Sequence, residues 1–235
     1  MTTVDTDHQS SDLSHRWMTI AGAAGIAYAV IFFASAVGIA SGAPVFTDGA
    51  DELRTWFGDN QGAVAFFTWL MPLTSGPLFL LFAAGLRKHL EGVDPSGGML
   101  MRISYSGAVA GFAFSLVGLG FWGAMTLDPV LDSASDGLLV TLSALDSIVF
   151  FVVGPWAFSL FIVAASVVML LSRAMPVWLG AAGCLFGVLN LLGGLWIFDG
   201  DPSGGISVLS FVGFFGGLLW TAATAVFMIR HRPAA

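Results

Sequence analysis

Long apolar stretches alternate with short polar segments along the whole chain. Six stretches reach or exceed the roughly 20 residues that a helix needs to cross a hydrocarbon core of about 30 Å. They cover residues 17–41, 62–86, 99–126, 139–172, 177–198 and 206–229. None shows the period of two that a membrane β-barrel strand requires, and helices pair their own backbone groups. The pattern predicts an all-α fold, a polytopic transmembrane bundle of six helices in a single domain.

The composition agrees with this interpretation. Charged residues make up 10% of the chain and hydrophobic residues 57%, whereas an ordinary soluble domain has about 25% charged residues. Arg102 and Asp146 are the two charged residues within the apolar stretches. A soluble globular domain, a disordered chain and a nucleic-acid binder are excluded by these values. A disulfide scaffold is excluded because the chain has one cysteine.

Basic residues predict how the chain is threaded. If the N-terminus is cytoplasmic, seven of the eight basic residues stay on that side, and Arg54 lies outside together with most of the acidic residues. We therefore expect a multi-pass protein of the bacterial plasma membrane with both termini in the cytoplasm. Residues 1–16 and 230–235 would be tails around a transmembrane domain of residues 17–229. Residues 1–13 are polar without periodicity and are expected to be disordered.

The longest external loop, about residues 42–61, is expected to contain a short amphipathic helix. A Thr-Asp pair ending at Asp48 can cap this helix. Leu53, Trp56 and Phe57 then share one face. This face can rest on the membrane surface as an anchor, or it can form a lid over a cavity.

Glycine recurs in the third, fifth and sixth spans at a spacing that permits close helix packing. We expect these three spans to meet through their glycine faces, and a second copy of the chain is a candidate partner there. The outward-running spans also resemble one another, which indicates three related helical hairpins unless the similarity is a coincidence among 30 glycines. The glycine pairs are Gly107 and Gly111, Gly183 and Gly187, and Gly213 and Gly217.

Several catalytic and cofactor motifs are missing from the sequence. The four histidines fall in cytoplasmic segments, no lysine falls within a span, and no HExxH, CxxC or P-loop occurs. A haem held between spans by two histidines and a retinal-type Schiff base are therefore excluded. Residues 199–210 begin like a calcium loop, but Ser210 stands where that loop needs glutamate, so a turn is expected. We expect no cofactor, no metal site and no nucleic-acid partner.

Asp146 is the acidic residue that the apolar pattern singles out. It lies about 40 Å before Arg173 along a straight helix, which places it near the outer interface as a solvated residue. A kink at Pro155 would draw it inward and give it a function. The candidate catalytic acids are Asp146, Asp199, Asp201 and Glu52.

The second span carries Pro72 and Pro77, which predict either a broken helix that lines a cavity or a packing kink. Asn190 lies within the fifth span. It can bind a ligand or form a hydrogen bond across to Ser115 or Thr221. The candidate pocket residues are Trp69, Pro72, Pro77, Trp122, Asn190 and Trp196.

Three segments carry a resemblance to a known group of proteins. They are DELRTWF at 51–57, FFTWL at 66–70 and LRKHL at 86–90. In these segments the chain resembles a large group of uncharacterised six-span actinobacterial membrane proteins. The resemblance implies a six-span fold and a plasma-membrane location, and it implies no activity and no catalytic residue.

Three classes of function remain open. A non-catalytic accessory, sensing or ligand-binding bundle, with a membrane lipid or an apolar small molecule as partner, fits the shortage of buried ionisable groups best. A membrane-embedded enzyme could protonate an isoprenoid or lipid with a carboxylic acid, as a terpene-cyclase-like or isomerase-like protein would. A small transporter is favoured by the two prolines of the second span and disfavoured by the lack of a buried charge relay.

Overall fold

The computed structural model describes residues 5–40 and 42–230, with side chains described for 16–38 and 42–230. The regular elements in this part of the chain are all helical, which confirms the predicted all-α class. The α-helices are α1 Asp5–Ser35, α2 Ala50–Asp59, α3 Gln61–Leu90, α4 Met99–Ala124, α5 Asp128–Ser133, α6 Asp136–Ile148, α7 Gly154–Ser172, α8 Val177–Gly193 and α9 Ser207–Arg230. Ala36–Ala40 and Val149–Val153 form π-helical turns, and Phe46–Asp48, Glu91–Val93 and Gly194–Phe198 form 3₁₀ turns.

Six helices of the described part are long and apolar enough to cross a membrane, as predicted. The fourth of them is formed by α6, the π-helical turn and α7 together. The first helix begins as early as Asp5, so the expectation of disorder is wrong for residues 5–13. Extending an existing helix costs much less free energy than nucleating a new one, which explains the longer α1. The six bounds are Arg16–Gly38, Gln61–Val93, Met99–Ala124, Asp136–Ser172, Val177–Phe198 and Ser207–Arg230.

The spanning helices form a ring in which each helix packs against its neighbours in the chain. Packing is most extensive between α4 and α7 and between α8 and α9, and the pairs α1–α3 and α7–α8 follow equally. Contacts of α3 with α4, α7 with α8 and α9 with α1 close the ring. The connections α2, α5 and 199–206 lie at one end, which we call the acidic end. The other end, the basic end, carries Arg87, Arg102, Arg173 and Arg230.

Glycines allow the helices of the ring to approach at backbone distance. A Cβ added at Gly107 would lie 2.7 Å from the carbonyl oxygen of Ala157 in α7. One added at Gly213 would lie 2.3 Å from the backbone nitrogen of Asn190 in α8. The fifth and sixth spans thus meet as expected. The third span packs mainly against the fourth, so the predicted contact of the third with the fifth and sixth is wrong.

Polar side chains also join neighbouring helices. Ser104 donates to the carbonyl oxygen of Phe161 at 2.9 Å, and Trp220 donates from Nε1 to that of Leu179 at 3.0 Å. Such bonds are a main source of helix association where lipid removes the hydrophobic driving force. Aromatic side chains fill the space enclosed by the helices. The side chains of Phe79 and Phe158 stack there, with 4.9 Å between their ring centroids.

Helix α3 runs without a break through Pro72 and Pro77, so of the two interpretations of these prolines the broken helix is wrong. The hydroxyl of Thr74 donates to the carbonyl oxygen of Leu70 at 2.8 Å. A proline removes one N–H from the helix, and nearby hydroxyl groups adjust the remaining pairing within the same helix. The two prolines are therefore accommodated inside a regular span.

The turn before α4 is closed by a buried carboxylate. Asp94 accepts hydrogen bonds from the backbone and hydroxyl of Ser96, at 2.9 and 2.6 Å, and from the backbone of Met101 at 3.0 Å. Burial raises the pKa of Asp94, but these bonds and the backbone of Leu100 outweigh it and hold the pKa below its ordinary value. The same Asp-Pro-Ser-Gly-Gly sequence recurs at 201–205, where Asp201 is exposed and accepts from the backbone of Ser203.

Substitution of Gly107 tests the close contact between α4 and α7. Gly107→Ala forces a methyl group against the backbone of α7, so we expect a loss of about 1–3 kcal/mol in stability. Gly120→Ala on the same helix is the control, because a Cβ there meets nothing within 4 Å. Thermal unfolding in detergent measures both variants. Equal changes in melting temperature would contradict the packing.

Substitution of Asp94 tests the turn before α4. A carboxylate with a lowered pKa stabilises the fold above its unfolded pKa of about 3.9, and this stabilisation is lost as the pH falls through the folded pKa. We expect Asp94→Ala to cost about 1 kcal/mol at neutral pH, as loss of a helix cap does. The difference from wild type should shrink as the pH falls below the unfolded pKa and through the lower folded pKa of Asp94. Asp201→Ala, in the matching turn, should cost less at every pH, and a cost as large as that of Asp94→Ala would refute the assignment.

Candidate functional site

Helix α2 packs as a cap on the acidic end. Leu53 and Phe57 are 0% and 1% exposed and lie against Met125 and Leu131 from the next connection. The amphipathic helix and its shared face are present as expected. The face is covered by protein and not by the membrane surface, so the anchor interpretation does not hold.

Arg54 fastens the cap to the bundle. Its guanidinium donates to the carbonyl oxygens of Leu131 and Ala134, the second at 3.1 Å, and forms an ion pair with Asp136 at 3.2 Å. These groups belong to α5, to the loop after it and to the first turn of α6. Arg54 is the one basic residue that the sequence places outside, and its contacts give it a structural role in the cap.

The turn before α2 completes the cap. The carboxylate of Asp48 accepts from the backbone of Val45 at 2.8 Å and so closes this 3₁₀ turn. Gly49 occupies the N-cap of α2, so the predicted cap at Asp48 is wrong. Phe46 places its ring 6.3 Å from that of Trp196, and the turn also contacts α6. Gly42 and Gly49 bound the turn with φ of 85° and 95°, a conformation that favours glycine.

Below the cap, the fourth span changes its helical geometry. Pro155 has no N–H, and its ring would clash with the carbonyl of Phe151 in a regular helix. The residues just before it form the π-helical turn Val149–Val153, in which Gly154 donates to the carbonyl oxygen of Val149. A π-helical turn thus stands where a kink at Pro155 was the alternative interpretation, and such turns are frequent at functional sites.

Asp146 lies three residues before this turn, on the buried face of α6. It is 8% exposed, so the interpretation as a solvated residue does not hold. Its Oδ1 atom accepts no hydrogen bond from any residue that the structure describes. Ser143 and Ser147, which are also buried, share its face of the helix. Asp146 lies about 15 Å along α6 from the exposed Asp136 at the acidic end.

The other candidate acids do not join Asp146. Asp199, Asp201 and Glu52 are all exposed at the rim of the acidic end. The structure therefore brings one carboxyl group into the interior and leaves the remaining three in contact with the surroundings. In the part of the chain described, no group of three His, Cys, Asp or Glu side chains could hold a metal ion.

The candidate pocket residues fall in different environments. Trp196 is 2% exposed, and its Nε1 has no acceptor among the described residues. Trp122 is half-buried and packs against the cap at 5.9 Å from the ring of Trp56. Trp69 is 62% exposed on the outer surface of the ring of helices. Two of the six candidates, Trp122 and Trp196, therefore lie at the acidic end near the cap.

Asn190 is 1% exposed, and its Oδ1 accepts no hydrogen bond within the described residues. The predicted bond to Ser115 or Thr221 is wrong. Their hydroxyls donate to the carbonyl oxygens of their own helices, at Gly111 and Gly217. Hydroxyls in spanning helices commonly bond back to the preceding turn, and this competes with bonds between helices.

Pro72 is half-buried and Pro77 is exposed, and neither lines the internal space next to α3. That space has a volume of about 30 Å³ and is bounded mostly by aromatic rings and by Ser75 and Ser115. It suffices for about one water molecule and not for an apolar ligand. The prolines therefore shape α3 without opening a ligand cavity there.

Sequence reasoning missed the contribution of Arg54 and the two serines beside Asp146. The two serines could have been identified from the sequence, because Ser143, Asp146 and Ser147 have the i, i+3 and i+4 spacing of one helical face. The contacts of Arg54 could not have been predicted, because its acceptors are backbone carbonyl oxygens of a segment far along the chain.

Comparison of the chain with family models, with curated proteins and with solved structures found no match. The function of the site therefore has to follow from its own geometry.

Proposed function

We propose that this protein is a non-catalytic membrane bundle that binds a lipid or another apolar small molecule at Asp146, beneath the α2 cap. The observation that carries the proposal is the buried Oδ1 atom of Asp146, which lacks a hydrogen-bond donor in the described part of the protein. A hydroxyl or N–H group on an otherwise apolar ligand would supply that donor.

An unpaired acceptor such as Oδ1 of Asp146 is energetically costly when it is buried. Such a group costs about 1–3 kcal/mol, and more when it is charged. Water is scarce inside a spanning helix bundle, so the cost has to be relieved by another partner. Groups that keep such a cost in a membrane protein commonly serve a function. A ligand donor at Asp146 would recover this free energy on binding.

The construction of the cap supports a route by which a ligand would reach Asp146 from the acidic end. It consists of α2 and the turn between Gly42 and Gly49, and it is held by the contacts of Arg54. Because the cap belongs to a connection and not to a span, it can separate from the ring without unfolding a spanning helix. This arrangement favours the lid interpretation of the loop.

We also propose that the acidic end faces outward from the plasma membrane and that both termini are cytoplasmic. The clustering of Arg87, Arg102, Arg173 and Arg230 at the opposite end supports this orientation. The ligand would then reach Asp146 from outside the cell or from the outer leaflet.

An enzyme that protonates an isoprenoid is the second candidate. The aromatic rings of Phe46 and Trp196 at the same end favour it, since such rings can stabilise a carbocation. The exposure of Asp199, Asp201 and Glu52 leaves Asp146 without a second acid, and this supports binding over catalysis. Transport has less support, because α3 is continuous where a transporter would have a broken helix.

Substitution of Asp146 tests the proposed function. Asp146→Asn keeps the shape of the side chain, but it replaces one carboxyl oxygen by an NH₂ donor and leaves a neutral amide oxygen as the acceptor. We therefore expect ligand occupancy to fall about tenfold, equivalent to about 1.4 kcal/mol. The protein is purified in mild detergent, and native mass spectrometry measures the lipids and small molecules that remain bound.

Asp132→Asn is the matched control, because Asp132 is an exposed acid in α5 at the same end. Circular dichroism establishes that both variants fold. Equal occupancy in Asp146→Asn and Asp132→Asn would overturn the proposal. Recovery of a chemically altered ligand from wild type but not from Asp146→Asn would favour the enzyme instead.

A further inference from the structure

An open groove of about 560 Å³ runs along the outer surface of the ring between α4 and α7. Its floor is made by small residues, Gly107 and Ala110 of α4 and Ala157 of α7. The floor is deep because Gly107 lets the two backbones meet, as a Cβ there would lie 2.7 Å from the carbonyl oxygen of Ala157. Larger apolar side chains stand on both sides, among them Phe114 and Trp156.

The groove carries a positive charge at one end. Arg102 lines it at the basic end and is exposed. The salt bridges among described residues involve Arg54 and Arg87, and Arg102 takes part in none of them. Arg87, by contrast, is paired with Glu91 and lies over the ring of Tyr105, so it is less available than Arg102. None of the residues that line the groove is acidic.

The dimensions of the groove fit one acyl chain. From Arg102 to Phe114 it follows α4 for about 18 Å. One leaflet of a bilayer contributes about half of the roughly 30 Å hydrocarbon core. A chain that starts with its headgroup at Arg102 would therefore lie along the groove to the level of Phe114 and Val153, next to the π-helical turn.

We infer that this groove binds one anionic phospholipid from the leaflet at the basic end, with its phosphate on Arg102 and an acyl chain on the small-residue floor. A guanidinium can donate two parallel hydrogen bonds to a phosphate, and the pairing is strong where water is limited. Ser106, one turn further along α4, lines the same groove and offers a hydroxyl to the headgroup. The site lies at the opposite end from Asp146 and does not depend on the proposed function.

Native mass spectrometry of the full chain in detergent tests the site with two added lipids of the same acyl chains, phosphatidylglycerol and phosphatidylcholine. We expect wild type to retain one phosphatidylglycerol in preference to phosphatidylcholine. Arg102→Gln should weaken phosphatidylglycerol binding roughly tenfold, as loss of a charge-assisted hydrogen bond does. Inorganic phosphate should not compete, since the acyl chain supplies part of the affinity.

Two further variants keep the test specific. Lys88→Gln removes the same charge from an exposed residue of the basic end outside the groove, and it should leave binding unchanged. Ala110→Phe fills the floor and should weaken both lipids while Arg102 stays in place. Equal losses in Arg102→Gln and Lys88→Gln, no preference between the lipids, or unaltered binding in Ala110→Phe would each overturn the inference. A lipid-free dimer would do the same, because the groove would then be covered by a second copy of the chain.

Discussion

Backbone polar groups inside a membrane have to be paired within the protein, and the rest of this structure follows from that constraint. It keeps α3 helical through Pro72 and Pro77. It converts the region before Pro155 into a π-helical turn in which Gly154 still finds an acceptor. Eight buried side-chain atoms of the described residues nevertheless have no hydrogen-bond partner, and Oδ1 of Asp146 is the one that belongs to a carboxyl group. The proposed ligand would supply its donor.

The position of Asp146 follows from the length of the fourth span. Asp136–Ser172 contains 37 residues, or about 55 Å of helix, which is far more than the roughly 30 Å of a hydrocarbon core. The part of the helix that exceeds the hydrocarbon core projects at the acidic end. There α2 and α5 pack around it, and Arg54 holds them together. Asp146 lies on the buried face of α6, within this long span.

The sequence predicted what depends on hydrophobic length and period. The six spans could be read in this way, and so could the amphipathic helix in the first external loop. The burial of Asp146 could not, because a straight helix placed it at the outer interface. The partner of a glycine face could not, because Gly107 permits close approach to any smooth helix and tertiary packing selected α7. The cap contacts were equally hidden, since Leu53 and Phe57 pack on residues far along the chain. Hydroxyl groups misled the prediction for Asn190, because bonding within one helix is always available to serine and threonine.

The proposed function requires the α2 cap to control access to Asp146 from the acidic end, and cysteine labelling of whole cells tests this requirement most directly. In a Cys184→Ala background, Asp146→Cys and Asp132→Cys are treated with a thiol reagent that does not cross membranes. The account predicts rapid labelling at position 132 and protection at position 146. It also predicts that adding Arg54→Ala, which releases α2, makes position 146 reactive. Rapid labelling at position 146 with Arg54 intact, or protection that survives Arg54→Ala, would contradict the account.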